Sequence, residues 1–243
     1  MSADSPLERR LAARLGDWEA AGLLRTLRPP SGLDLSSNDY LHLARHPRLV
    51  DAFVGAARRE GVGSTGSRLL RGERACFSAI EQRFAAFKGT ARALYFSSGY
   101  QANLTVLTTL CEPGDVIFSD ALNHASLIDA ARLSRAERVV FPHNDVARLA
   151  SLLAATPCRG LRFVVVESVF SMDGDVAPLR EIAALCAAHE ATLIVDEAHA
   201  VGVFGTRGSG LLETLTDGAA TGAAPPAALD ASACLSINTA GKA

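Results

Sequence analysis

From Arg92 onward the chain alternates short apolar runs with amphipathic helical segments, and few folds accommodate that alternation. RALYF (92–96), DVIFSD (115–120), ERVVF (137–141), LRFVVVES (161–168) and TLIVDE (192–197) read as strands. Between them SSGYQANLTVLTTL (97–110), HASLIDAARLS (124–134), VARLASLLAA (146–155) and PLREIAALCAAH (178–189) carry apolar residues at helical spacing. Asn144 or Asp145 is placed to cap the third of these helices. Strand–helix units joined by short loops build a mostly parallel sheet with helices on both faces, an α/β fold. Such strands are buried on both sides, which explains why they read as continuous apolar runs.

Ligands of these sheets sit beyond the carboxyl ends of the strands. That rule directs attention to Thr192–Gly205, TLIVDEAHAVGVFG, where an apolar run breaks into Asp196, Glu197 and His199. Asp-Glu-Ala-His also ends a strand in nucleic-acid helicases. A helicase needs G-x-x-x-x-G-K-[ST] upstream, whereas the only Gly-Lys pair here is Gly241-Lys242 at the far end. A net charge of −2 supplies no basic surface for nucleic acid or an anionic membrane. Five widely spaced cysteines without a C-x-x-C argue against both a disulfide framework and a zinc site. No apolar run reaches the length of a membrane span, and the charged amino terminus is unlike a secretory signal. A cytoplasmic protein without bound metal is expected.

The residues before Arg92 are less regular. Leucines at 7, 11, 15, 23, 24 and 27 among arginines predict an amphipathic helix over 4–28, bent near Gly22 and broken by Pro29 and Pro30. LDLSSNDYLHL (33–43) reads as extended, 47–60 as a helix opened by Pro47, and GVGSTGSRLLRG (61–72) as a ligand loop or a flexible connection. Phe77, Ile80, Phe84 and Phe87 predict a core helix stopped by Gly89. Beyond Gly210 an Ala/Gly/Pro-rich stretch (211–231) reads as a loop or loose surface helix. ACLSINTAGKA then resumes a strand that runs into Lys242, with no helix to cover it, so the chain reads as a fragment. A division into an N-terminal helical segment (1–32) and a large domain (33–243) follows.

Asp196 and His199 suit pyridoxal 5'-phosphate. That cofactor needs a lysine, a carboxylate opposite its ring nitrogen and donors around its phosphate. Ser98-Gly99-Tyr100 opens a helix directly after a strand, where free N–H groups and the helix dipole favour a phosphate. His124, after another strand end, is a candidate to stack on the ring.

SSNDYL (36–41), GSTGSRLLRG (63–72), SSGYQAN (97–103), NHAS (123–126), ESVFSMDGD (167–175), DEAHAVGVFG (196–205) and NTAGKA (238–243) occur in one order. In that order they resemble the α-oxoamine synthases, fold-type I pyridoxal-phosphate enzymes, over nearly the whole chain from Leu33. The likeness is to the biotin-pathway branch. It implies a fold-type I transferase large domain without the family's C-terminal domain. Lys242 is the implied Schiff-base lysine and proton carrier, Asp196 the partner of the ring nitrogen and His199 that of the ring oxygen. His124 is implied as a stacking, proton-transferring and substrate-side residue. Gly99, Tyr100, Ser171 and Thr239 are implied cofactor contacts, Asn38 a contact to the amino-acid carboxylate and Arg25 a contact to the acyl thioester. The implied reaction is a decarboxylative condensation of L-alanine with pimeloyl-CoA or its carrier-protein equivalent, in a homodimer. Glycine- and serine-using members of the family, and an inactive cofactor-binding subunit, are the alternatives.

Overall fold

The computed structural model describes residues 5–216 and 234–242. The chain divides into two compact units, Met1–Ser37 and Asn38–Ala243. The first holds helix α1 (Pro6–Ala20). Its start is a capping box: the Glu8 N–H donates to Ser5 Oγ at 3.2 Å and the Ser5 N–H to Glu8 Oε2 at 2.5 Å. The helix is shorter than the expected 4–28. Gly22 turns to φ +68°, and the Leu23 and Leu24 N–H groups fold back onto the Trp18 carbonyl at 2.8 and 3.1 Å. An αL glycine with returning N–H groups ends a helix rather than bending it.

The second unit opens with α2 (Pro47–Glu60), a π-helical turn (Arg68–Gly72) and α3 (Ala75–Lys88), stopped as expected by Gly89 in the αL region. The α/β alternation follows as α4 (Gly99–Leu110), β1 (Val116–Asp120), α5 (Ala125–Leu133), β2 (Glu137–Phe141) and α6 (Val146–Ala155). It continues through β3 (Arg162–Glu167), α7 (Leu179–Ala188), β4 (Ala191–Asp196), the short α8 (Glu213–Thr216) and β5 (Cys234–Ile237). Asp145 caps α6 by accepting from the Arg148 N–H at 2.8 Å. Most of the 211–231 stretch lies outside the described residues. Among those described, no helix is long and apolar enough to cross a membrane.

All strand pairs are parallel, in the order β2-β1-β3-β4-β5. Side-chain alternation sorts the sheet into two faces. Ile117, Phe163, Val165, Ile194 and Ile237 pack with Leu107 of α4 and Leu127 and Ala130 of α5. Phe118, Val164, Val166, Leu193 and Val195 pack with Leu149 and Leu153 of α6 and Ile182 of α7. Each such fully buried Leu, Ile or Phe side chain contributes about 1.5–3 kcal/mol.

Two further expectations fail. RALYF (92–96) is not a strand: it joins no ladder, and side chains take its peptide groups instead. Glu81 Oε1 accepts from the Tyr95 N–H at 2.9 Å, and Arg68 Nη1 donates to the Tyr95 carbonyl at 3.4 Å. LDLSSNDYLHL is a run of bends rather than an extended segment. Asp34 accepts from the Ser36 N–H at 2.9 Å, and further on Asp39 accepts from the Leu43 N–H at 2.7 Å. Asp side chains that bond backbone a few residues ahead favour turns over strands. Neither segment carries that information in its hydrophobic pattern.

Candidate active site

The sheet reverses its winding at β1, which has β2 on one side and β3 on the other. The crevice of a doubly wound sheet lies past the strand ends at such a point. Asp196 ends β4, the strand beyond β3 from that point, buried, on the face that packs against α4 and α5. Its Oδ2 accepts from Asn103 Nδ2 at 2.7 Å and its Oδ1 from the Ala198 N–H at 2.9 Å. Asn103 Nδ2 also donates to Ser126 Oγ at 2.8 Å, and that hydroxyl meets His124 Nδ1 at 2.7 Å. His124 is the N-cap of α5, its Nδ1 accepting from the Ser126 N–H at 3.2 Å. That bond places the ring proton on Nε2 in the neutral imidazole. A buried chain thus links His124 to Asp196.

A second chain enters from the other side. Lys242 Nζ lies 2.7 Å from His199 Nε2, and His199 Nδ1 lies 2.6 Å from the Tyr40 hydroxyl. Tyr40 in turn donates to Asn38 Oδ1 at 3.1 Å. Burial, and after it the charge of Lys242, holds the His199 pKa below its ordinary value; Asp196 pulls the other way. The imidazole beside Lys242 is therefore a neutral hydrogen-bond partner at physiological pH.

The N-terminus of α4 adjoins this group. Ser98 caps it by accepting from the Gln101 N–H at 3.2 Å, and a first-turn N–H such as those of Gly99 and Tyr100 has no acceptor within its own helix. A Cβ added to Gly99 would stand 3.5 Å from Thr239 Cβ, so the glycine and the threonine face each other. Ser171 is half-buried, and its backbone N–H donates to Glu167. The Tyr100 side chain is half-exposed and donates to Asp129 Oδ2 at 2.9 Å, which pushes its pKa up. Arg25 alone of the anticipated residues lies in the first unit.

Four residues without an anticipated role take part: Asn103, Ser126, Tyr40 and Glu167. Asn103 lies one helical turn from buried Leu107 on the apolar side of α4, and a buried amide in that position has to find partners. Glu167 continues the inward set Phe163, Val165 of β3 and is fully buried. Its Oε1 accepts from the His124 N–H at 2.5 Å. Burial, and then the neighbouring charge of Asp196, push its pKa up to about 7.

A primary amine, a buried carboxylate and a free helix N-terminus converge on one crevice. That donor set suits a ring carrying an aldehyde, a basic nitrogen and a phosphate. Among the described residues no group of His, Cys, Asp and Glu is arranged to hold a metal.

A family model for aminotransferase class I and II matches residues 30–243. The chain belongs to that family. Its curated relatives include the 8-amino-7-oxononanoate synthase of Mycolicibacterium gilvum (strain PYR-GCK), 54% identical over 198 residues, covering 80% of this chain and 52% of the relative. That of Anaeromyxobacter sp. (strain Fw109-5) is 51% identical over 210 residues, covering 81% and 53%. Among solved structures of the family, the serine palmitoyltransferase of Sphingomonas wittichii superposes with a TM-score of 0.76 at 36% identity, covering 87% of this chain and 57% of that one. The 8-amino-7-oxononanoate synthase of Francisella tularensis gives 0.63 at 34%, covering 76% and 50%. These relatives are α-oxoamine synthases, as the motif order implies. The chain spans about half the length of the curated relatives it matches.

Proposed function

We propose that the chain carries the cofactor pocket of a pyridoxal-phosphate-dependent acyltransferase. The reaction is condensation of L-alanine with pimeloyl-CoA, or pimeloyl carrier protein, to 8-amino-7-oxononanoate with release of CoA and CO2, in the cytoplasm and as a homodimer. One observation carries the proposal: the Lys242 amine, 2.7 Å from the His199 imidazole, shares a strand-end crevice with the Asp196 carboxylate and the α4 N-terminus.

The pocket's donor set fits the cofactor. Lys242 would hold the aldehyde, Asp196 would pair with the ring nitrogen, His199 would bond the ring oxygen and His124 would stack on the ring. Gly99, Tyr100, Ser171 and Thr239 would contact the cofactor, mostly around its phosphate. When bound, pyridoxal phosphate supplies an electron-withdrawing ring that stabilises negative charge at the amino-acid Cα. Every other task falls to the chain. Asn103 and the Ala198 N–H hold the Asp196 carboxylate in place at 2.7 and 2.9 Å, which preorganises the charge opposite the ring. Lys242 would take the Cα proton of alanine on Nζ, and the neighbouring His199 Nε2, 2.7 Å away, holds that amine in place. Asn38 would take the alanine carboxylate.

The test is the absorbance of the chain with added pyridoxal phosphate, before and after borohydride, beside Lys242→Ala. A chromophore fixed by borohydride onto the peptide that contains Lys242, and lost in the alanine variant, supports the pocket. A folded chain with no such adduct overturns it. CoA release with alanine, glycine or serine in turn separates the reactions. Serine is included because serine palmitoyltransferase superposes with the higher TM-score of the two solved relatives.

A further inference from the structure

Glu167 has no role in the pocket described so far, yet it is among the most thoroughly buried carboxyls of the chain. It ends β3 as Asp196 ends β4, and the two are direct partners in the parallel ladder. Partner residues on neighbouring strands put their side chains on the same face, one strand spacing apart. Both carboxyls therefore point toward α4 and α5. Their donors differ. Asn103 Nδ2 and the Ala198 N–H serve Asp196, one at each oxygen. The His124 N–H, at 2.5 Å, and the Ser171 N–H serve Glu167. Among the described residues Glu167 makes no salt bridge. Asp196 from β4, Lys242 beyond β5 and His124 at the start of α5 are the titratable groups that face it, and Lys242 Nζ is engaged by His199.

Two buried carboxyls side by side on neighbouring strands, with the one ammonium of Lys242 facing them, leave a negative charge without a counter-charge if both ionise. We propose that Glu167 is a positioning residue of this pocket, a carboxyl that stays neutral while the pocket is empty, anchors His124 by its backbone N–H, and ionises when a positive charge docks against Asp196. The proposal rests on the reading that the pocket takes pyridoxal phosphate, whose protonated ring nitrogen is that charge. On docking, the Glu167 O–H bond breaks and its proton leaves to solvent, so the carboxyl pair goes from one negative charge to two against the new positive one. The bond from the His124 N–H then becomes charge-assisted and tightens. His124, the N-cap of α5, is thereby held hardest only when there is a ring to stack on. The direction in which burial and Asp196 shift Glu167 agrees with this order of events.

The sign of the linkage follows. A carboxyl whose folded-state value is raised from 4.5 to about 7 gives its full stabilisation at pH values below 4.5 and loses it as pH rises toward 7. The empty 243-residue chain and Glu167→Gln, whose amide oxygen still accepts from the His124 N–H, are unfolded in urea from pH 5 to 8. The unfolding equilibrium of the wild type should shift toward the unfolded state by on the order of 100-fold more than that of the variant over this range. An equal shift in both overturns the proposal. Carbon-13 carboxyl titration of the wild-type chain decides the matter even if the variant does not fold: one glutamate should titrate near neutrality, and if every glutamate titrates below pH 5 the proposal is wrong. Calorimetry of pyridoxal-phosphate binding in buffers of different ionisation enthalpy then counts protons. At pH 6.5 the wild type should release about half a proton or more beyond what Glu167→Gln releases, and identical counts overturn the coupling. If neither protein binds the cofactor, the functional reading falls, while the two measurements on the empty chain still decide the state of Glu167.

Discussion

Lys88→Met should be among the most destabilising single substitutions in the second unit. Lys88 ends α3, and its Nζ lies 2.5 Å from Glu197 Oε2, with side-chain exposures of 5% and 0%. The same ammonium donates to the Ser209 carbonyl. Glu197 also accepts from the Leu212 N–H at 2.9 Å and from Ser236 Oγ at 3.2 Å. The pair thus ties α3 to the 204–212 loop and to β5. Methionine keeps the aliphatic stem but leaves the buried Glu197 carboxyl without its counter-charge. Removing one partner of such a buried pair costs about 3–5 kcal/mol. In a chain of this size that lowers the thermal midpoint by roughly 10 °C. Neutralising both, as Lys88→Met with Glu197→Gln, removes the stranded charge and should recover part of the loss. Urea unfolding of wild type, both single variants and the double variant gives the cycle directly. A loss below about 1 kcal/mol for Lys88→Met, or a double variant worse than the sum of the singles, would refute the reasoning.

Gly210→Ala should be costly for a related reason. The position sits at φ +106°, and an added Cβ would stand 2.5 Å from Glu197 Oε1; at least about 2 kcal/mol should be lost in urea unfolding. Asn103→Ala breaks the chain between His124 and Asp196, and should cost about 1–3 kcal/mol while weakening pyridoxal-phosphate binding measured by absorbance titration. His143 bridges Asp120 and Asp175 at 2.9 and 2.7 Å. Burial opposes its charged form, but the two aspartates outweigh burial and raise its pKa. Its stabilisation should therefore be complete below the ordinary histidine value of 6.5 and fade as pH rises through the raised folded value. Melting curves between pH 6 and 9 should show that decline in the wild type and a smaller one in His143→Gln.

The α/β core was legible because its signals are local and redundant. β1 through β4 each carry a continuous apolar run, and α3, α4 and α6 carry the stops and caps their residues promise: Gly89, Ser98 and Asp145. RALYF carries the same local signal, yet its peptide groups go to Glu81 and Arg68, residues 14 and 27 positions away. Strand formation depends on a neighbouring edge, and no window of sequence reports whether one is there. The end of α1 at Ala20 turns on the dihedral of Gly22. Its leucine pattern, which continues past that point, carries no trace of the break.

The site divides along the same line, and the parity of the strands shows where. Asp196 and Glu197 are consecutive and acidic, and both follow an apolar run, so composition does not tell them apart. Successive side chains of a strand point to opposite faces. Asp196 continues Ile194 toward α4 and α5, where Asn103 receives it. Glu197 continues Leu193 and Val195 on the other parity and meets Lys88. One is placed for a ligand and the other for the fold. Applied to β3, the same count puts Glu167 with Phe163 and Val165 on the face of Asp196, in register with it. The strand alternation alone places Glu167 at the pocket. What it does there depends on the donors that fold around it, above all the His124 N–H, and a linear reading of β3 does not reach across to that residue. Motif order therefore locates a site of this kind, while the proton inventory inside it is settled by contacts between elements far apart in the chain.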